Sequence, residues 1–367
     1  MLIGIPREIK PQEGRVALLP TQVKELVSLG HTVLVERDAG ILSEAAPEDY
    51  AAAGAELADH GADVYRQAEL IVKVKEILAA EYAYLRAAHT LFTNLHAAAN
   101  RQQVDRLLEA KLIAIAAEDT HELGSPNSAL AGEVGALEGA RLVLSPHGGS
   151  GRHFMPHFGA TAAKALVIGL GGVGRGALRT LLGLGMGVIG LDVNARTGRD
   201  AQLQWCRSDF IADHIDALAV YLSEADLLLN CVLWDKSRTD HLISRRMLKD
   251  MKRGAVIVDI ACDPAGAIET SRPTTWQDPV YEVDGIRHFC VDNIPAAVPV
   301  TASAGYAAAI LPCVKLIAEH GPLEACRRNP WLARGLTVVG GVLTHTETAR
   351  VQKRPCTPAE AILADRP

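Results

Sequence analysis

The sequence predicts an α/β fold made of two doubly wound parallel sheets, one in each of two domains, with an interdomain cleft. Short apolar segments alternate with helix-length amphipathic segments, which is typical of parallel sheets covered by helices. This alternation occurs in two series, and a glycine-rich turn follows the first strand of the second series. The length of 367 residues agrees with two domains, because a domain takes roughly 150 residues.

The first series lies in the first third of the chain. Each predicted strand is a short apolar run, and each predicted helix has apolar residues at helical spacing. The predicted strands are Leu2–Ile5, Thr32–Glu36, Leu70–Lys75, Thr90–Leu95 and Leu112–Ala117, and the predicted helices are Pro20–Leu29, Pro47–Ala53 and Asn100–Ala110.

The second series follows a predicted crossing helix, Ala131–Leu144, and a long helix, Ser303–Ala318, comes after it. We therefore expect the second domain, residues 130–300, to be inserted into the first, which consists of residues 1–129 plus 301–367. The predicted strands of the second series are Lys164–Ile168, Gly187–Leu191, Leu227–Val232, Ala255–Ile260 and His288–Val291.

Composition disfavours several classes of function. A net charge of −6 with 4% aromatic residues disfavours nucleic-acid binding, which needs cationic surfaces and stacking platforms. The seven cysteines are scattered without a Cys-x-x-Cys pair, so we expect neither a disulfide framework nor a structural zinc site. The sequence shows neither a signal peptide nor an uninterrupted apolar run of about 18 residues. We therefore expect a soluble cytoplasmic protein that binds small molecules and no membrane.

A strand, a glycine turn and a helix form a dinucleotide-binding pattern. Gly169, Gly171 and Gly174 give Gly-x-Gly-x-x-Gly directly after an apolar strand. Such glycines allow a tight turn, close approach of a pyrophosphate and close packing of the helix on the strand. Asp192 ends the next strand, at the spacing of an acid that binds a ribose diol. The pattern predicts a Rossmann-like domain that prefers NAD to NADP, although Arg196 keeps NADP open.

Polar residues follow several of the predicted strands. In parallel sheets the ligand lies beyond the carboxyl ends of the strands, so these residues are candidates for a site that faces the nicotinamide. They are Lys73, Lys75, His96, Glu118 and Asp119 in the first domain, and Asp263, Asp292 and Asn293 in the second.

Three histidines and one cysteine have weaker functional interpretations. His147, His153 and His157 have spacings that allow a metal site, but no acidic or thiolate partner is near them in sequence, so no metal is expected. Cys262 lies beside Asp263, and without an identifiable base it is expected to be a small buried residue.

The chain resembles the alanine dehydrogenase family, which is related to the soluble part of nicotinamide nucleotide transhydrogenase. The similarity extends over nearly the whole chain. The segments that carry it are Ile3–Lys10 (IGIPREIK), Glu13–Leu18 (EGRVAL), Gly30–Glu36 (GHTVLVE), Val72–Glu76 (VKVKE), Leu91–His96 (LFTNLH), Val258–Asp263 (VDIACD), Ile268–Thr275 (IETSRPTT) and Cys290–Pro295 (CVDNIP), continuing to Pro299.

The resemblance implies roles for individual residues. Arg15 and Lys75 would bind the carboxylate and carbonyl of a 2-oxo acid, His96 would act as acid and base, and Asp263 would be the second catalytic group. It also implies a homo-oligomer, with a hexamer as the family's habit. The residues that would line the dinucleotide site are Val232, Leu233, Ile260, Val291 and Asn293.

The chain departs from the family pattern at several places. Leu130–Glu133 (LAGE) replaces Pro-Met-Ser-Glu and loses a hydroxyl expected near the cofactor, and Phe154–Phe158 (FMPHF) replaces Gly-Val-Pro-Gly-Val. The segment Leu233–Leu242 (LWDKSRTDHL) is more similar to N5-(carboxyethyl)ornithine synthases, which form opines.

These observations lead to one principal hypothesis and two alternatives. The principal hypothesis is an NAD-dependent oxidoreductase acting on CH–NH2 that converts L-alanine reversibly to pyruvate and ammonia. The first alternative is an opine-type NAD(P)H reductase that joins a 2-oxo acid to an amino-acid amine. The second is a dinucleotide-sensing module without activity, which the joint presence of Arg15, Lys75, His96 and Asp263 disfavours.

Overall fold

The computed structural model describes residues 1–122, 124–235, 238–262 and 266–364. The chain forms two compact units. Unit 1 comprises Met1–Asn127 and the chain from Val298 onward, and unit 2 comprises Ser128–Ala297. Each unit is built on one sheet with its own apolar core.

The strands are short, mostly of three to five residues. In chain order they are β1 (Leu2–Ile5), β2 (Thr32–Glu36), β3 (Glu56–Ala58), β4 (Leu70–Val72), β5 (Thr90–Thr93), β6 (Ile113–Ala116), β7 (Lys164–Ile168), β8 (Gly187–Asp192), β9 (Phe210–His214), β10 (Leu227–Asn230), β11 (Val256–Asp259), β12 (Val280–Val283), β13 (Ile286–Phe289), β14 (Leu336–Val339) and β15 (Val342–Leu343).

The α-helices connect these strands and cover the sheets. In chain order they are α1 (Pro20–Ser28), α2 (Pro47–Ala52), α3 (Gly61–Gln67), α4 (Arg101–Ala110), α5 (Ser128–Val143), α6 (Gly172–Gly183), α7 (Ala195–Gln204), α8 (Leu218–Leu222), α9 (Pro299–His320), α10 (Pro322–Arg328), α11 (Pro330–Gly335), α12 (Thr346–Gln352) and α13 (Ala359–Ala364).

The sheet of unit 1 has the doubly wound order that the sequence predicts. Within the described residues its eight strands run β15-β14-β6-β5-β4-β1-β2-β3, and β1 to β6 pair in parallel. The strand order reverses between β1 and β4. At such a switch point, loops leave the sheet in opposite directions and open a crevice at the carboxyl ends of the strands.

The sheet of unit 2 repeats this topology. The order of its seven described strands is β12-β13-β11-β10-β7-β8-β9, with the reversal between β7 and β10. β7 to β11 and β13 pair in parallel, whereas β12 is antiparallel to β13. The predicted α/β class with two Rossmann-like sheets is confirmed.

The edges of both sheets differ from the sequence-based expectation of parallel strands only. In unit 1 the hairpin β14–β15 adds two antiparallel strands beside β6, and in unit 2 β12 is antiparallel. The predicted strand Leu70–Lys75 also ends at Val72, so both lysines lie in the loop that follows it. Strands at a sheet edge are short and half exposed, and therefore carry little apolar pattern.

Helix α9 is central to the core of unit 1. Among the described helices it is long and apolar enough to cross a membrane by length and composition alone. Tyr306, Ile310, Val314 and Ile317 are fully buried in the core of unit 1 and recur at helical spacing. This helix is therefore apolar because it forms the core.

Helices α5 and α6 in unit 2 pack closely enough to require glycine at their contact. A Cβ added at Gly132 would lie 1.9 Å from the carbonyl oxygen of Val173, and one at Gly176 would lie 2.0 Å from that of Ala129. Both positions exclude a side chain while the helices keep this spacing. The departure from Pro-Met-Ser-Glu at Gly132 thus has a packing reason, because a serine there would collide with α6.

We expect Gly132→Ala to destabilise the protein by about 1–3 kcal/mol, the usual cost of overpacking a tight contact. Gly198→Ala is the matched control, since a Cβ at this position in α7 meets no atom within 4 Å. The control should be neutral or stabilising by up to about 1 kcal/mol, because alanine favours helix more than glycine does. Denaturant unfolding followed by circular dichroism measures both, and equal stability of the two variants would contradict the packing argument.

Candidate active site

The candidate site of unit 1 lies at the carboxyl ends of four adjacent strands. The loops after β1, β4, β5 and β6 carry Arg15, Lys75, His96 and Glu118 respectively. These strands are neighbours in the sheet and include the switch point. The topology therefore brings residues from four separate parts of the sequence to one edge.

Glu8 connects the loop after β1 to the loop after β4. Its Oε1 accepts hydrogen bonds from the backbone N–H groups of Val74 (2.6 Å) and Lys75 (3.2 Å). Its Oε2 accepts from Nζ of Lys73 at 3.0 Å. Beyond the end of β4 these N–H groups have no sheet ladder to join, so the carboxylate replaces it. The backbone position of Lys75 is thereby fixed.

Lys75 presents its ammonium group to His96. The side chain is 7% exposed, and its Nζ lies 3.4 Å from Nε2 of His96 and 3.3 Å from Oε2 of Glu76. Oε1 of Glu76 in turn lies 2.9 Å from Nζ of Lys10. Burial alone would raise the pKa of Glu76, but Lys75 and Lys10 outweigh burial and lower its pKa to about 2.

His96 stands in an unusual backbone conformation. Its φ is +45°, in the left-handed region that residues with a Cβ adopt at a cost. The backbone N–H of His96 donates to Oε1 of Glu118 at 2.6 Å, and that of Leu95 donates to Oε2 at 3.0 Å. Half of the side chain is exposed. The imidazole is therefore accessible, while the peptide that carries it is held by a carboxylate.

Arg15 is buried and held by an acidic neighbour. It is 4% exposed, and its Nε and Nη2 donate to the two carboxylate oxygens of Glu13 at 2.8 and 2.6 Å. The Asn127 amide, with its oxygen turned toward Arg15, accepts from Nη1 at 3.2 Å. This double contact fixes the plane of the guanidinium, which is the group that recognises carboxylates best.

Lys73 has an environment different from that of Lys75. Its side chain is fully buried, and its Nζ lies 3.0 Å from both Glu8 and Glu81. Burial would lower the pKa of Lys73, but the two carboxylates outweigh burial and raise it, so the ammonium stays charged. Its backbone oxygen accepts a hydrogen bond from Tyr306 at 3.0 Å. Lys73 therefore stabilises the loop after β4 from inside the protein.

In unit 2 the glycine turn has the geometry that its pattern predicts. Gly169 has a φ of +88°, and a Cβ at Gly174 would lie 1.9 Å from the carbonyl oxygen of Gly169. A Cβ at Gly171 would meet no protein atom within 4 Å, so the turn is open on that side. The turn leads into α6, whose first N–H groups and positive dipole end favour a phosphate.

Asp192 ends β8 next to this turn. Its Oδ2 accepts from the backbone N–H of Leu170 at 2.8 Å, and its Oδ1 accepts from that of Asn194 at 2.8 Å. The carboxylate is thereby oriented, and each of its oxygens has a second lone pair. This arrangement fits the binding of a ribose diol.

The other residues predicted to line the dinucleotide site follow the neighbouring strands of unit 2. Val232 and Leu233 come after β10, Ile260 directly follows β11, and Val291 and Asn293 come after β13. Leu233 is 82% exposed, whereas Val291 is 3% exposed and belongs to the core. A ligand at this edge could therefore meet Leu233 through its side chain and Val291 only through its backbone.

One predicted site residue lies outside the described residues, and the three histidines considered for a metal site belong to unit 2 rather than to the candidate site of unit 1. Asp263 lies outside the described residues. His147 contacts Arg141, and the rings of His153 and His157 lie 5.1 Å apart. Within the described residues, no group of three or more His, Cys, Asp or Glu side chains could hold a metal ion.

Sequence reasoning missed several residues that support the site. Glu8 and Glu13 lie in the opening segments that carry the family resemblance, and Glu13 lies two residues from Arg15. Asn127 and Tyr306 come from distant parts of the chain. For the two acids, the available signal was their position in loops that follow β1; for the other two there was none.

Two sheets whose parallel strands, counted in chain order within each unit, follow the order 3-2-1-4-5-6, and a glycine turn that leads into a helix, define a Rossmann-like protein of the dinucleotide-binding class. Family models agree: "Alanine dehydrogenase/PNT, N-terminal domain" matches residues 4–130, and "Alanine dehydrogenase/PNT, C-terminal domain" matches residues 135–346. The chain belongs to the alanine dehydrogenase/PNT family, and the resemblance stated from the sequence is confirmed.

Individual relatives agree over the full length. Alanine dehydrogenase from Methanococcus maripaludis is 37% identical over 99% of this chain and 100% of its own. Alanine dehydrogenase from Bacillus subtilis is 38% identical over 100% of this chain and 98% of its own. Among solved structures, an L-alanine dehydrogenase has a TM-score of 0.87 at 36% identity, covering 96% of this chain and 99% of that one.

The depressed pKa of Glu76 predicts an acid-sensitive contribution to stability. A fall from the ordinary value of 4.5 to about 2 corresponds to about 3 kcal/mol. Because the folded-state pKa is the lower one, this stabilisation is fully present above about pH 5 and is lost as the pH falls toward 2. Glu76→Gln should therefore be less stable than wild type at pH 7 by up to this amount, with a difference that shrinks on acidification.

Urea unfolding between pH 3 and 7 measures this dependence. Glu56→Gln is the matched control, since Glu56 is exposed on the edge strand β3. Its unfolding free energy should follow that of wild type at every pH. A Glu76→Gln curve that stays parallel to wild type throughout this range would contradict the assigned ion pairs.

Proposed function

We propose that this chain is an NAD-dependent amino-acid dehydrogenase that converts L-alanine, water and NAD to pyruvate, ammonia and NADH, reversibly. The observation that carries the proposal is the contact between the buried Lys75 ammonium and the accessible His96 imidazole, at 3.4 Å. The contact lies at the carboxyl ends of β4 and β5, next to the switch point of a parallel sheet, where ligands bind in this architecture. The full-length similarity to alanine dehydrogenases supports the same activity.

In this proposal unit 1 is the substrate domain. The Arg15 guanidinium, oriented by Glu13, binds the substrate carboxylate, because planar donors match its two oxygens. Lys75 donates to the oxygen at C2 and stabilises the negative charge that develops there. Both cations are almost completely buried, and burial strengthens their attraction for an anionic substrate.

His96 handles the proton of the hydrolytic steps. Water adds to the carbon of the iminium that hydride loss leaves: its lone pair forms the C–O bond, the C=N pair moves to the positively charged nitrogen and neutralises it, and Nε2 of His96 takes the proton that water releases. The carbinolamine then collapses, C=O forms, the hydroxyl proton passes to solvent, and nitrogen leaves as ammonia with the proton returned by His96. Imidazole suits both directions because its pKa is near neutrality. Asp263 is proposed as the second catalytic group on the family resemblance.

In this proposal unit 2 is the NAD-binding domain. When bound, NAD accepts a hydride from the substrate Cα. Gly169, Gly171 and Gly174 would admit the pyrophosphate to the N-terminus of α6, and Asp192 would accept hydrogen bonds from the adenosine ribose. The nicotinamide side would be lined by the residues after the neighbouring strands, namely Val232, Leu233, Ile260, Val291 and Asn293.

NAD is proposed over NADP because of charge. The Asp192 carboxylate would repel the 2′-phosphate of NADP, whereas it can accept hydrogen bonds from a free diol. Arg196, whose side chain is 90% exposed, lies 4.0 Å from Asp200. Its guanidinium is therefore directed to a surface acid in this structure.

The alternatives are less well supported. An opine-type reductase is not favoured, because the full-length relatives are named alanine dehydrogenase. An inactive dinucleotide-sensing module would have no need for a buried Arg15 or for the contact between Lys75 and His96. We also propose a cytoplasmic homo-oligomer acting on small molecules, with a hexamer on the family resemblance.

The test of the proposed function is a spectrophotometric screen of NADH oxidation that crosses several 2-oxo acids with ammonia and with amino-acid amines. Pyruvate with ammonia should give the highest turnover, and L-alanine with NAD should give NADH in the reverse assay. Reactions that contain ornithine or lysine without ammonia should stay at background. Turnover that requires such an amine would refute the proposal in favour of an opine-type reductase.

The proposed ribose contact is tested with Asp192→Asn. Loss of the carboxylate should raise the KM for NAD by roughly 10-fold and narrow the preference over NADP, because hydrogen bonds to a charged group contribute about 1.5–3 kcal/mol. Glu224→Gln is the control: this exposed acid precedes β10 and pairs with Lys164 at the start of β7, at the opposite end of the strands, so both the KM for NAD and the preference over NADP should stay unchanged. If Asp192→Asn keeps the wild-type ratio of NAD to NADP efficiency, Asp192 does not select the cofactor.

A further inference from the structure

The backbone of His96 is held in a left-handed conformation. Its φ is +45°, a region that residues with a Cβ adopt at a cost, although histidine does so more often than most. Such strain persists only where the surroundings over-determine it, and it concentrates at functional sites. A neighbouring group must therefore hold this peptide in place.

The group is Glu118, on the 3₁₀ turn Ala117–Asp119 that follows β6. Its two carboxylate oxygens accept one hydrogen bond each, from the consecutive N–H groups of Leu95 and His96 at 3.0 and 2.6 Å. The side chain is 15% exposed, and hydrogen bonds between a carboxylate and backbone N–H are strong in such surroundings. One carboxylate therefore binds the backbone N–H groups of both Leu95 and His96.

Glu118 also faces the imidazole of His96. Oε1 lies 3.8 Å from Nδ1, while Nε2 on the opposite side of the ring lies 3.4 Å from Nζ of Lys75. An ammonium group has donors and no acceptor, so in that contact Nε2 must be the acceptor. The proton of the neutral ring is then on Nδ1, on the side of the Glu118 carboxylate.

We propose that Glu118 is a positioning residue for His96: its carboxylate holds the left-handed backbone at His96 and faces an Nδ1–H, which leaves Nε2 as the atom that exchanges protons with the substrate. This inference rests on the proposed function for the identity of that substrate. The inference goes beyond the proposed function because it assigns Nε2 as the nitrogen that exchanges protons and Glu118 as the group that selects this nitrogen.

The surroundings of Glu118 define the pH range in which it can act. The pKa of Glu118 is raised to about 7, chiefly by burial and then by the neighbouring Asp119, against the lowering by the backbone N–H groups. The carboxylate is therefore charged above about pH 7 and loses its charge below it. The titratable and charged groups around this turn are Asp119 beside it, His96 with Lys75 beyond it, Tyr306 on α9, and, acting on Asp119, Arg334, His345 and Glu347.

The first experiment reads the ring directly and needs no turnover. Two-dimensional ¹⁵N–¹H NMR of the full-length protein labelled in histidine, with the His96 signals assigned through His96→Asn, reports the tautomer and the pKa of this ring. We expect the Nδ1–H tautomer in wild type. In Glu118→Gln the pKa of His96 should fall by about 0.5–1, because a neighbouring anion stabilises the imidazolium.

The second experiment separates positioning from general stability through kinetics. Glu118→Gln should lower kcat for L-alanine by about 10–100-fold, since small misplacements of a catalytic group have effects of this size. The KM for L-alanine should change by less than about 3-fold, because Arg15 and Lys75 remain. Glu118→Asp keeps the charge and should recover most of the His96 pKa and part of kcat.

Glu122→Gln is the matched control, an exposed acid four residues from Glu118. It removes the same charge and should keep wild-type kcat, KM and His96 pKa.

The outcomes decide between the two proposals. An Nε2–H tautomer in wild type, or an unchanged His96 pKa in Glu118→Gln, would overturn the role of Glu118. The wild-type tautomer also gives a result if Glu118→Gln does not fold. A wild type with the Nδ1–H tautomer but without alanine-dependent NADH formation would instead refute the proposed function.

Discussion

Two buried carboxylates hold together the edge of the sheet on which the candidate site of unit 1 is built. Glu8 accepts from the loop after β4, and Glu118 accepts from the loop after β5. Between them, the side chains of Thr93 and Asn94 donate to the backbone oxygens of Lys75 and Val74. The loops of four adjacent strands are thus joined in one continuous row of hydrogen bonds. Lys75 and His96 owe their positions to it.

This row of hydrogen bonds provides partners for backbone groups that the ends of short parallel strands leave unpaired. Once a strand ends, its backbone N–H groups leave the ladder, and burying them without partners would cost free energy. In unit 1 acidic side chains supply the partners, and the exposed imidazole of His96 lies beside the buried ammonium of Lys75. In unit 2 the corresponding edge uses glycine and a helix N-terminus instead. One topology therefore supports side-chain chemistry in the first sheet and backbone recognition of a phosphate in the second.

Much of this organisation follows from the sequence, and the exceptions have identifiable causes. The central strands are apolar runs between helices, and the rule that ligands bind at carboxyl ends selected Lys75, His96 and Glu118. Strands β12 and β15 escaped because a short, partly exposed edge strand has no clear period. Strand β14 is mostly buried, but it is an isolated apolar run of only four residues. The division between Lys73 and Lys75 also escaped, because the burial of Lys73 between Glu8, 65 residues away, and Glu81 is set by the tertiary fold. The positive φ of His96 is likewise a tertiary effect, since histidine itself does not call for it.

That backbone conformation determines which replacement can report on the imidazole. Among residues with a Cβ, asparagine enters the left-handed region most readily, whereas alanine resists it. At position 96 an alanine would remove the ring and at the same time alter the strain that Glu118 restrains, so two losses would be measured as one. Asparagine keeps the peptide in place, and the activity lost with it belongs to the ring.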